Sequence, residues 1–96
     1  MHKINLKKPL TFLDGNPILE AGKEMELAKA IAGALIQSQS KNPLKTYEIC
    51  QKLYKDGNLE IDTIDLEEFK ESIKSNESAT DLLKGQVLQE IAKQVK

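Results

Sequence analysis

Two apolar runs at four-residue spacing bound what this chain can become: Leu27, Ile31 and Leu35, then Leu83, Val87, Ile91 and Val95. That spacing keeps side chains on one face of an α-helix, and each such stripe must be buried against something. The chain has 96 residues, which is room for one small domain. A chain of this size buries roughly 60–65% of its unfolded surface, so a second core does not fit. The stripes therefore cover each other, cover a small sheet, or cover a second molecule.

The segment before the first stripe reads as extended. Ile4 and Leu6 alternate with Lys3, Asn5 and Lys7, and Leu10-Thr11-Phe12-Leu13 meets Asp14-Gly15-Asn16-Pro17 before Ile18 and Leu19. Asp-Gly marks a turn, because Gly accepts positive φ and Asp bonds its own backbone. Residues 3–20 thus predict a two-stranded ribbon with a further N-terminal strand. Such a ribbon needs other elements to cover its apolar face.

Four helices follow. The first is expected from near Met25 to Gln37–Gln39, with Ala28 and Ala32 widening the stripe. There Ala28, Ala32 and Gly33 allow a close neighbour, while Glu24 and Glu26 favour the positive end of the helix dipole. Ser38-Gln39-Ser40-Lys41-Asn42-Pro43 reads as a loop. The second helix runs from Pro43 or Leu44 to Lys55, with Asn42 as its cap and Asp56-Gly57-Asn58 as its stop. Leu44, Tyr47, Cys50 and Tyr54 trace one sector of it, and Ile49 and Leu53 the next. Leu59 and Ile61 then alternate with polar residues as a short strand or connector. The third helix spans about Thr63 to Lys74, with Asp62 or Thr63 as cap and Leu66, Phe69 and Ile73 as its apolar line. The fourth spans about Ala79 to Val95, broadened by Leu88.

Residue types narrow the chemistry. All 14 basic residues are Lys, against 15 acids. Planar bidentate recognition of phosphate or base edges falls mainly to Arg, so a strong nucleic-acid binder is not expected. The four aromatics are not interleaved with positive charge as a stacking surface requires. One Cys and one His supply neither a disulfide nor a zinc site. His2 has no second His to relay charge, and Cys50 falls on the inner sector of the second helix. Glu67 with Glu71, and Asp65 with Glu68, lie on one helix rather than across a cleft, as carboxylate catalysis demands. The acidic stretch 56–71 resembles a calcium loop only superficially: with Gly57 as the sixth position, the first is Lys52 and the twelfth Thr63. No continuous apolar region reaches the length of a leader or a membrane helix.

Charge is unevenly spread. Residues 1–55 hold nine Lys and five acids, a balance of +4; residues 56–96 hold five Lys and ten acids, a balance of −5. Two readings follow: each half is a solvated face with incidental bias, or the halves attract each other, within one fold or between copies.

The order of these features is itself informative: a Lys-rich extended start, Leu10-Thr11-Phe12-Leu13-Asp14-Gly15-Asn16-Pro17, a helix, Tyr47-Glu48-Ile49-Cys50-Gln51-Lys52-Leu53-Tyr54, then Leu59-Glu60-Ile61-Asp62 and two acidic or mixed helices. It resembles a loose group of small uncharacterised proteins encoded by bacteriophages and prophages, over most of the chain. The resemblance transfers no catalytic residue. It implies a phage accessory role, in virion or tail assembly or as an early host-directed protein, in the host cytoplasm.

The expected fold is therefore α+β, a single domain over 1–96 in which a short N-terminal β hairpin or ribbon packs with about four helices. A largely helical bundle with irregular arms is the structural alternative. The expected function is non-enzymatic protein–protein interaction or assembly, with a protein partner or a homo-oligomer, no cofactor and no metal. A weak nucleic-acid-binding regulator is the alternative from another class. The candidate interaction residues are Leu27, Ile31, Leu35, Leu83, Val87 and Ile91, unless both stripes meet inside one monomer.

Overall fold

The computed structural model describes residues 1–37 and 42–95. Ser38 to Lys41, most of the expected loop before Asn42, and the far limit of the first predicted helix at Gln39 lie outside the described residues. The chain runs β1 (His2–Asn5), β2 (Leu19–Glu20), β3 (Lys23–Glu24), α1 (Leu27–Ile36), α2 (Pro43–Asp56), β4 (Asn58–Ile61), α3 (Thr63–Ser75) and α4 (Asp81–Gln94). The architecture is α+β, with short antiparallel strands beside the helices. Among the described residues no helix is long and apolar enough to cross a membrane.

The N-terminal strand pairs differently from the ribbon expected. β1 lies antiparallel to β4, far along the chain, with Ile4 opposite Leu59 and Lys3 opposite Glu60. Period-2 alternation explains the choice. Ile4, Leu6, Leu59 and Ile61 share the buried face, and Lys3, Asn5, Asn58 and Glu60 the exposed one. The Asp14-Gly15 turn does reverse the chain, but only an isolated bridge between Thr11 and Pro17 flanks it. The tight hairpin is instead β2–β3, around Ala21 (φ 53°) and Gly22 (φ 79°). Both central residues at positive φ make this the turn that matches strand twist. Ala21 hides it from a reading based on Gly, Asn and Asp.

α1 is the central helix, packed against α2, α3 and α4. It starts at Leu27 rather than Met25, because Met25 is committed to extended pairing: its N–H donates to the Ile18 carbonyl and its carbonyl accepts from Leu10. No side chain caps this helix. The Lys8 carbonyl takes the Leu27 N–H and the Leu6 carbonyl takes that of Ala28, so the N-terminal segment itself satisfies the orphan donors. The other helices carry the caps read from sequence: Asn42 accepts from the Lys45 N–H and Asp62 from that of Asp65. Thr80 caps α4, and Gly57 ends α2 in the left-handed conformation at φ 72°.

Asn76 is buried. Its Nδ2 donates to the Ala34 carbonyl at 3.1 Å, and its Oδ1 accepts from the backbone of Ser78 and Ala79. One side chain thus ties the end of α3 to α1 and shapes the approach to α4. The uneven charge is also resolved within the fold. Lys3 meets Glu60, Lys8 meets Glu90, and Lys45 meets Asp65 and Glu68, each joining the basic half to the acidic half.

Candidate functional site

The six stripe residues Leu27, Ile31, Leu35, Leu83, Val87 and Ile91 are all buried in the core of this chain. They meet inside the monomer, because α1 and α4 pack against each other. Their side chains are not free to receive a partner. Gly33 does not mediate a close approach either: a Cβ placed there would meet nothing within 4 Å.

The exposed apolar surface lies elsewhere. Residues 9–26 form an arm whose base is knotted at three points: Ile18 donates to the Leu10 carbonyl, Leu10 to that of Met25, and Met25 to that of Ile18. The tip is a hydrogen-bonded turn. The Gly15 N–H donates to the Phe12 carbonyl at 3.0 Å and the Phe12 N–H to that of Asn16 at 2.9 Å. Asp14 accepts from both the backbone and the side chain of Asn16. This turn holds Leu13 98% exposed and Phe12 53% exposed, with Leu19 also exposed on the β2–β3 hairpin.

The arm is fastened to α4. The Thr11 N–H donates to Gln86 Oε1 at 3.0 Å, and Gln86 Nε2 donates back to the Thr11 carbonyl. One turn on, Glu90 Oε2 accepts from Lys8 Nζ at 2.9 Å; a further turn on, Gln94 holds the backbone of Asn5. Gln86, Glu90 and Gln94 form a polar line beside the Leu83–Val95 stripe, at the same four-residue spacing. That spacing is visible in the sequence. What the line binds is not, because its partners, the backbone of Thr11 and Asn5 and the Lys8 ammonium, lie some 80 residues away. The Lys8 ammonium, and then the Gln94 amide, hold the Glu90 carboxyl below the usual carboxylate range against the opposing effect of burial.

On α2 the sector assigned to Leu44, Tyr47, Cys50 and Tyr54 divides. Cys50 is buried, while Leu44, Tyr47 and Tyr54 are exposed. The inward direction is set by Cys50 and Leu53, with Ile49 partly buried beside them. This turns both tyrosines toward solvent, and brings Tyr54 to the edge of α1, where Lys29 Nζ stands 5.5 Å from its ring centre. Burial pushes the Cys50 thiol up, away from the thiolate that nucleophilic chemistry needs.

The acidic stretch 56–71 is used structurally at Asp62, the α3 cap, and at Asp65 and Glu68, the partners of Lys45. Among the described residues, no three His, Cys, Asp or Glu side chains converge as metal ligands. His2 Nε2 lies 3.0 Å from Thr63 Oγ1, at the start of α3. Comparison with protein families, with curated proteins and with solved structures finds no match. The reading of this surface rests on the chain's own geometry.

Proposed function

We propose that this chain is a non-enzymatic interaction component that docks to another protein through the tip of the 9–26 arm. The observation that carries this reading is the ordered exposure of Phe12 and Leu13. A chain of this size has every reason to bury large apolar side chains, yet it uses a network of turn hydrogen bonds to hold Leu13 out in water. Rigid apolar side chains on a fastened loop are the pattern of a binding anchor, because ordering has been completed before the partner arrives. In the phage setting that the sequence resemblance implies, such a component belongs to virion or tail assembly, or to early contact with a host protein.

The test is site-specific photo-crosslinking in the cells that naturally carry the chain. A photoreactive residue at position 13 should give a discrete protein adduct, and one at Glu77, also exposed, on the α3–α4 turn, should not. Phe12→Asp should suppress the adduct. No adduct at position 13, with the chain a monomer by sedimentation throughout the micromolar range, would sink the proposal.

A further inference from the structure

The β1–β4 sheet has two outer edges, and they are treated differently. The Leu6 N–H donates to the Gly57 carbonyl at 2.8 Å, which fixes Leu6 and Gly57 as a directly bonded pair. Bonded and non-bonded pairs alternate in an antiparallel ladder. Ile4 with Leu59 and His2 with Ile61 are then the next bonded pairs in the same register. Lys3, Asn5, Asn58 and Glu60 consequently aim their backbone groups outward. On the β1 side Gln94 confirms this geometry by binding both outward groups of Asn5. On the β4 side the outward groups of Asn58 and Glu60 take no partner among the described residues. They border a groove of ≈ 390 Å³ lined by Lys52, Asp56, Asn58, Leu59 and Glu60, between the strand and the last turns of α2.

Two features of the groove describe its occupant. Asp56 sits in the last turn of α2, where a carboxylate opposes the helix dipole, and makes no ion pair among the described residues. Lys55 in the same turn answers the dipole, so the Asp56 carboxylate on the groove wall is left to meet an incoming cation. The second feature is β1. The strand already paired with β4 is Lys-bearing and alternates polar with apolar residues, and its Lys3 reaches Glu60 at 3.8 Å. The inner edge of β4 thus shows the chemistry its outer edge accepts.

We infer that the open edge of β4 takes an extended, Lys- or Arg-bearing segment of another protein as an added strand, with Asn58 and Glu60 supplying backbone pairing and Asp56 and Glu60 supplying charge. This rests on the reading that the chain binds protein, but at a surface separate from the arm.

The experiment is an NMR titration of the whole chain with acetyl-Lys-Val-Lys-Val-Lys-amide, and with its Glu counterpart as control. The Lys peptide should shift the amides of residues 56–60 and slow exchange of the Glu60 amide, leaving β1 unmoved. Glu60→Lys should weaken binding about tenfold and turn the preference toward the Glu peptide. Glu60→Pro should abolish pairing while the fold survives, because the lost N–H faces outward and not into the ladder. Leu13→Asp should leave peptide binding intact, and Glu60→Lys should leave crosslinking at position 13 intact, so each proposal fails separately. Equal binding of both peptides, shifts centred on Tyr47 and Tyr54, or no shift at millimolar peptide would overturn the inference. So would protection of the Glu60 amide that rises with protein concentration alone, which would make a second copy the occupant.

Discussion

Asn5 presents its outward N–H and carbonyl to a single side chain, that of Gln94, which accepts at 2.6 Å and donates at 2.8 Å. A side-chain amide carries the same donor and acceptor as a peptide unit, so Gln94 stands where a neighbouring strand would. Gln86 repeats the arrangement at Thr11, and Glu90 between them binds Lys8. Successive turns of α4 therefore fasten successive parts of the segment 5–11, and α4 runs antiparallel to it. The apolar stripe of α4 supplies burial; this polar line supplies register.

The bonds of Gln86 to Thr11 are partly buried and those of Gln94 to Asn5 are exposed, so removing Gln86 should cost more. Gln86→Ala is expected to lose about 1–2 kcal/mol and Gln94→Ala about 0.5–1 kcal/mol in urea melts. Gln86→Glu should be at least as harmful as Gln86→Ala, since a carboxylate cannot donate to the Thr11 carbonyl. Faster amide exchange at Thr11 in both Gln86 variants would locate the effect in the arm. Unchanged exchange there would show that the arm is held by other contacts.

Glycine substitutions should have opposite signs at two positions. Gly33 lies inside α1 with open space where a methyl group would stand, so Gly33→Ala should stabilise by about 0.5–1 kcal/mol. Gly57 holds φ at +72°, and a Cβ there would stand 2.8 Å from the Lys7 Cβ. Gly57→Ala should therefore destabilise by more than about 1 kcal/mol. Differential scanning calorimetry reads both. A Gly33→Ala protein that melts earlier than the parent would mean that α1 needs the missing side chain.

What the sequence makes legible is whatever depends on near neighbours. The helices follow their apolar spacing, and Asn42, Asp62 and Gly57 perform the capping roles their types favour. What stays hidden depends on distant partners. Alternation at Ile4 and Leu6 announces a strand but not that β4 is its mate. Tyr47 and Tyr54 share a helical sector with Cys50, yet only the packing of α2 decides that the tyrosines stay outside. Nothing local marks the tie of Asn76 to α1 or of Gln86 to the arm, because those partners are backbone groups on other elements. The exposed tip reads only as a turn in the sequence, since exposure is a property of the finished fold.

Stability should depend on pH with two limbs of known sign. Glu90 has a depressed folded pKa, so its contribution is present above the unfolded carboxylate value and is lost as pH falls through the folded one. Glu90→Gln should flatten the acid limb, with a difference of about 0.5–1 kcal/mol at neutral pH that vanishes in strong acid. Lys45 is raised, chiefly by its hydrogen bond to Asp65, so its contribution is present below the ordinary lysine value and lost as pH rises through the folded one. Burial raises Cys50, which adds a further loss above the ordinary thiol value. Cys50→Val should remove the earlier part of the alkaline decline and Lys45→Met the later part. Denaturant midpoints across pH would show whether either limb persists in its variant.

The buried stripes give the sharpest contrast with the exposed tip. Ile31 and Ile91 are completely enclosed, so each truncation to Ala leaves a cavity and should cost about 2–5 kcal/mol. Domains of this size hold only about 5–10 kcal/mol in total, at roughly 0.1 kcal/mol per residue. Ile91→Asp, which adds a buried charge with no partner, should leave no folded population. Leu13→Asp places its charge in water and should shift the midpoint by no more than about 0.5 kcal/mol. Circular dichroism melts of the four variants measure these differences directly. An Ile91→Asp chain that folded and melted like the parent would return the α4 stripe to the surface, and with it the dimer that the spacing alone allows. A Leu13→Asp chain that unfolded would show that the arm tip is a packing element, and would remove the basis for reading it as a docking anchor.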